Sequence, residues 1–165
     1  MLLVICDTTP VNYLVLIGHI DLLPILFENV TLPSVVRDEL ANKDAPAPVR
    51  NWIAAPPPWV EVRQTTHGRF YGDEALDALD EGEKAAIALA TELAADLILM
   101  DDRAGVAVAL RKKLKVAGTL GILDLAAERG LIDIRTTLEL LRKTNFHYRD
   151  EILAALLNKH VQGRR

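Results

Sequence analysis

The chain has 165 residues, half of them apolar and only 5% aromatic, with one cysteine and a formal net charge of −4. That length suits a single domain over residues 1–165, burying roughly 70% of its unfolded surface without a disulfide or a structural metal. The acidic balance excludes a broadly basic nucleic-acid-binding surface, the aliphatic composition argues against an all-β sandwich, and no apolar stretch reaches the ~18 residues of a membrane span.

The first apolar run, Leu2-Leu3-Val4-Ile5-Cys6, reads as a buried strand ending at Asp7. Cys6 lies inside it as a small core residue, and the opening MLLVICDTTP has no basic region or cleavage site, so a reducing, cytoplasmic setting is expected. Pro10 can occupy the first turn of a helix that carries Val11, Leu14, Val15 and Ile17 and closes at Gly18. A second helix is predicted from Asp21 to Glu28 and a short strand over Asn29-Val30-Thr31-Leu32. Pro33-Ser34 then opens a helix through Leu40. Residues 44–58 form a proline-rich connection with a short helix through Arg50 to Ala54, and Trp59-Val60-Glu61-Val62 alternates like an edge strand. Gln64 to Gly72 reads as a polar, mobile connection. Next come a helix over 81–95, a strand over 97–101, a helix over 103–113, a strand over 115–118 and a helix over 120–129. Strands and helices alternating at this spacing mean βαβ units, and hence an α/β fold with a mostly parallel sheet. Leu131-Ile132-Asp133-Ile134 reads as a last short strand, followed by C-terminal helices over 136–143 and 149–160.

Acids stand where an α/β sheet places its sites. Asp7, Asp101 and Asp102 follow strand ends, and ligands bind beyond the carboxyl ends of such strands. Asp7 can simply cap the helix at Pro10, but the hydroxyls of Thr8 and Thr9, followed by Asn12, suit a metal or phosphate site better. Glu39 shares a helix face with Val35 and Val36, and Glu83 with Ile87 and Ala90, which places both on core-facing stripes; the competing reading of Glu39 is a salt bridge or an edge position with its carboxylate in solvent. The competing reading of Glu83 is a capping box, Asp80-Glu81-Gly82-Glu83. Either Asp101 or Asp102 can cap the helix from Arg103; strand alternation sends them to opposite faces, and the sequence leaves open which one faces the site. If these acids converge, each pair ~4 Å apart repels by ~4 kcal/mol at an effective dielectric of about 20, which protons or cations must offset. An all-carboxylate set favours Mg²⁺ or Mn²⁺ over zinc, and His19, His67, His147 and His160 show no ligand spacing.

The segments VICDTTPVNYL, PSVVRDEL, LDEGEKAAIALA, LILMDDRAG and VAGTLGILDLA, in this order, resemble the PIN-domain nucleases, and among them the PIN-like proteins described as VapC-type toxins. The resemblance covers nearly the whole chain. It implies a Rossmann-like three-layer α/β/α fold and a Mg²⁺- or Mn²⁺-dependent endoribonuclease acting on RNA. It further implies a small antitoxin partner and a homodimer. Carried onto this sequence, the metal-binding acids are Asp7, Glu39, Glu83 and one or both of Asp101 and Asp102. Thr8, Thr9, Asn12, Arg103 and Thr119 stand around the metal shell or the backbone phosphate, with Gly121 allowing close backbone approach. The alternative for Thr119 is a helix cap, and for Arg103 a salt bridge to a neighbouring acid. The chain departs from the commoner toxins, which have Thr-x-Asp-x-Asp-Phe where Met100-Asp101-Asp102-Arg103-Ala104-Gly105 stands here; Glu83 stands where Asp is usual.

Two basic stretches offer RNA contact, Arg111-Lys112-Lys113-Leu114-Lys115 and the group Lys159, His160, Arg164 and Arg165. Two other readings compete. One is a catalytically silent PIN-like module that binds RNA or protein. The other is a haloacid-dehalogenase-like phosphatase, disfavoured because Thr9 stands where that chemistry needs a second Asp.

Overall fold

The computed structural model describes residues 2–65 and 74–162. Most of the predicted polar connection, with His67, lies outside them, as do Arg164 and Arg165. In chain order the described elements are β1 (Val4–Cys6), α1 (Thr8–Leu16), α2 (Leu22–Phe27), β2 (Val30–Pro33), α3 (Ser34–Leu40), α4 (Ala47–Ala54) and β3 (Val60–Arg63). Then come α5 (Glu74–Asp77), α6 (Glu81–Glu92), β4 (Leu97–Leu99), α7 (Arg103–Arg111), β5 (Val116–Ala117), α8 (Thr119–Glu128), α9 (Ile134–Arg142) and α10 (Asp150–Gln162). No helix among the described residues is long and apolar enough to cross a membrane.

The five strands form one all-parallel sheet in the order β3-β2-β1-β4-β5. Trp59 to Val62 was expected at an edge, and β3 is an edge strand. Side-chain alternation splits the core in two. Val4, Cys6 and Leu99 face a cluster with α1, α2, α8, α9 and α10, whereas Ile5, Ile98 and Met100 face a second cluster with α6 and α7. Helices therefore cover both faces, and strands buried on both sides need the continuous apolar runs seen in the sequence.

The sheet grows from β1 toward β2 and β3, then returns to add β4 and β5 on the other side. The gap between the ends of β1 and β4 is thus the switch point at which an open α/β sheet forms its crevice. Cys6 pairs with Leu99 in register, and the Asp7 N–H extends the ladder by donating to the Leu99 carbonyl at 2.9 Å. This register brings Asp7 and Asp101 to the same end of adjacent strands.

The strand expected at Leu131 to Ile134 is absent. Gly130, at φ +72°, ends the turn after α8, and Asp133 instead caps α9 by accepting the Thr136 N–H at 3.0 Å. Alternation over four residues counts for little when the last of them, Ile134, is buried as the first residue of a helix.

Candidate active site

Asp7 is 4% exposed at the N-cap position of α1, yet its side chain makes no capping bond to that helix. The capping explanation of this acid therefore falls away. Burial pushes its carboxyl from 3.8 up to about 7; the Thr8 N–H opposes the shift, while the charges of Asp80, Glu39 and Asp101 add to it. These neighbours come from four separate segments of the chain.

Glu39 reaches the crevice from α3. Its Oε2 accepts a short hydrogen bond from the Thr8 hydroxyl. Its carboxylate lies against the backbone of Gly82: a Cβ there would stand 2.5 and 2.7 Å from the two Glu39 oxygens. Gly82 is thus what lets α3 and α6 bring an acid this close.

Glu83, 6% exposed, faces inward from the first turn of α6. Half of the expected capping box forms: Asp80 caps α6 by accepting the Glu83 N–H at 2.8 Å. The Glu83 carboxyl is raised to about 8, first by burial, then by the charges of Asp80 and Asp102 and by a side-chain hydrogen bond with Asp80. The proton that Glu83 thereby retains relieves the repulsion.

Asp101 and Asp102 separate as alternation requires. Asp101 accepts the Thr119 N–H at 2.8 Å and the Thr119 hydroxyl at 2.6 Å. Burial raises its pKa, and those two bonds oppose the rise. Asp102 is exposed and caps α7, accepting from Ala104 N at 3.1 Å and Gly105 N at 3.2 Å. Asp102→Ala is accordingly expected to cost ~1 kcal/mol of unfolding free energy, the usual value of an N-cap, read by urea denaturation. Little loss would mean that the cap is not formed.

Four expectations about neighbouring residues change. Thr119 is fully buried and follows the N-cap position, held by Gly118, so its hydroxyl serves Asp101 and does not cap the helix. The close approach belongs to Gly118, where a Cβ would lie 2.7 Å from Asp101 Oδ1, while Gly121 has ordinary room with Ala117 Cβ at 3.7 Å. Arg103 is exposed and makes no ion pair among the described residues. The run from Arg111 follows the far end of α7, about 12 Å from its start at 1.5 Å per residue, and the described residues of the second basic group, Lys159 and His160, are bonded to Asp124 on α8. Thr9 lines the surface beside Asp101, and Asn12 is half-buried on α1 with no side-chain hydrogen bond among the described residues.

Sequence reasoning treated Asp80 only as a cap and did not single out Gly82, Gly105 or Gly118. A Cβ at Gly105 would meet Met100 Sδ at 2.7 Å and Glu83 Cγ and Cδ at 3.5 Å. The available signal was a glycine within two of the acid-bearing segments, Asp80-Glu81-Gly82-Glu83 and Asp101-Asp102-Arg103-Ala104-Gly105, and another at the strand end before Thr119.

Hard carboxylate oxygens, buried together without a neutralising Lys or Arg among the described residues, form a donor set suited to a divalent cation. No three His, Cys, Asp or Glu side chains among those residues make a ready-formed cage. The fit therefore lies in the chemistry of the donors and in the charge that they leave uncompensated.

The structure is an all-parallel, three-layer α/β/α fold with acids at its switch point. The chain belongs to the PIN-domain family DUF3368, which it matches over residues 3–162. PIN domains are generally nucleases and typically use divalent metals. Comparison with curated proteins gives no match.

Proposed function

We propose that the protein is a Mg²⁺- or Mn²⁺-dependent endoribonuclease that hydrolyses phosphodiester bonds in RNA. The observation that carries this reading is Asp7, a buried carboxylate at the switch point whose charged form is disfavoured by Asp80, Glu39 and Asp101. Burying acids together is costly unless a cation compensates them, and a protein has little reason to retain such a site otherwise. Asp7 and Asp101 would hold the ion, and Glu39 and Glu83 would hold a second ion or a water. When bound, it would acidify a water and neutralise charge on the phosphate.

The chain's own residues do the positioning. Thr119 fixes Asp101 with two bonds, Thr8 fixes Glu39, and Asp102 stays at its cap while its charge helps to hold a proton on Glu83. Gly82→Ala tests this arrangement. The Glu39 carboxylate must swing off the new methyl group and release Thr8, while alanine in a helix is worth ~1 kcal/mol over glycine. Cleavage is expected to fall on the order of tenfold, with a melting temperature equal to or above that of the parent chain. Unchanged cleavage would remove Glu39 from the site.

The motif resemblance supports a toxin held by a small antitoxin protein, acting in the cytoplasm as a homodimer. Light scattering tests the dimer. The reading as a silent RNA- or protein-binding module draws on one observation: Thr119 engages both Asp101 oxygens. Calorimetry with Mn²⁺ separates the two, since a silent module takes up no ion at the acids.

A further inference from the structure

Beside Asp101 the surface opens into a cleft of roughly 750 Å³, bounded by α1, the start of α7, the turn at Gly118 and the segment that enters α10. In a chain only 5% aromatic, three rings line this one cleft: Tyr13, Phe146 and Tyr148. Tyr13 and Phe146 meet edge to face, with centroids 4.9 Å apart and planes at 78°. The Tyr13 hydroxyl donates to Asn145 Oδ1 at 2.8 Å, and all three rings rest against the buried core, so they are held in place. Tyr148 is half-buried and has no ring partner among the described residues.

Arg103 and Arg149 stand exposed on the same walls, and neither forms an ion pair among the described residues. Held rings beside free guanidinium groups are what a single-stranded polynucleotide needs, since bases stack on the rings and phosphates meet the cations. Base pairs inside a duplex offer no free face to a ring.

We propose that this cleft binds an unpaired base next to the scissile phosphate, with Tyr148 and Phe146 as its stacking walls and Arg149 and Arg103 on the flanking phosphates. The proposal rests on the ribonuclease reading and names the residues of that site that would hold the base beside the cut. Tyr148 and Phe146 are specificity-determining residues in this scheme; the acids remain the catalytic ones.

The test uses the full chain in EDTA, with fluorescence anisotropy of a labelled single strand of about twelve nucleotides and of a duplex of the same composition. The single strand is expected to bind at least about tenfold more tightly. Tyr148→Ala should weaken it about tenfold and Tyr148→Phe less than about twofold, in keeping with the usual worth of one stacked base. Arg149→Gln should instead lower the salt dependence by about one phosphate contact. Equal affinity for duplex, or full affinity in a folded Tyr148→Ala protein, overturns the proposal. Should that variant fail to fold, an abasic nucleotide walked along the RNA replaces it: a loss of about tenfold at one position supports the subsite, and uniform affinity overturns it. Binding of this pattern without cleavage in Mn²⁺ would sink the nuclease and keep the cleft. Cleavage with ring-independent binding would do the reverse.

Discussion

Asp7→Asn protein supplied with Mn²⁺ is expected to cleave single-stranded RNA at least about 100-fold more slowly than the parent chain, since loss of a direct ligand should exceed the 10- to 100-fold usual for an outer-shell partner. Asparagine preserves the shape of the side chain and removes only its charge. The variant should therefore fold, and circular dichroism will show it. Asp7 lies where β1, α1 and β4 meet and carries the electrostatic contact to Glu39, Asp80 and Asp101. Equal cleavage by both proteins would expose a contaminating nuclease. Absence of cleavage by the parent with either metal would favour the silent module.

Metal-free protein is expected to lose stability as pH rises from about 4 to 8. Asp7 and Glu83 have folded pKa values of about 7 and 8, raised from 3.8 and 4.5 by burial and then chiefly by neighbouring acids. Through that window the folded state holds protons that the unfolded chain has released, so the slope of unfolding free energy with pH is negative. The two groups together are worth on the order of a few kcal/mol, or several degrees of melting temperature. Asp124 works in the opposite sense. Burial would raise its pKa, but Lys159 and His160 hold it below the ordinary value, so its contribution is complete above the ordinary carboxylate range and lost only in stronger acid.

In EDTA, melting at pH 8 should therefore fall several degrees below melting at pH 5.5. Asp7→Asn and Glu83→Gln should each flatten the profile and raise the melting temperature at pH 8. Saturating Mn²⁺ should restore the parent chain at pH 8, because binding to the folded state adds stability by mass action, and should leave Asp7→Asn nearly unmoved. A profile that is flat or rises with pH would show that these acids are not crowded in solution.

Much of the fold was legible because its strands are buried on both faces. Leu97-Ile98-Leu99-Met100 can be read without knowing its neighbours, and alternation with helices then implies parallel pairing. Asp133 shows where such reading breaks down. A four-residue apolar alternation competes with a helix cap, and the cap prevails because Ile134 finds its burial on α9.

The acids at 7, 39, 83 and 101 were recognisable as types of residue placed at strand ends or on inward helix faces, since those properties are local. Which carboxylate does what depends on partners far along the chain. Asp101 turns inward because Thr119, 18 residues later, offers it two donors, and Asp102 turns outward because it has a helix to cap. Glu39 can rest against α6 only because residue 82 lacks a Cβ. Local pattern determined the strands, the helices and the stock of acids; tertiary packing decided their division of labour, because hydrogen-bond donors and backbone clearances arise only when distant segments come into contact.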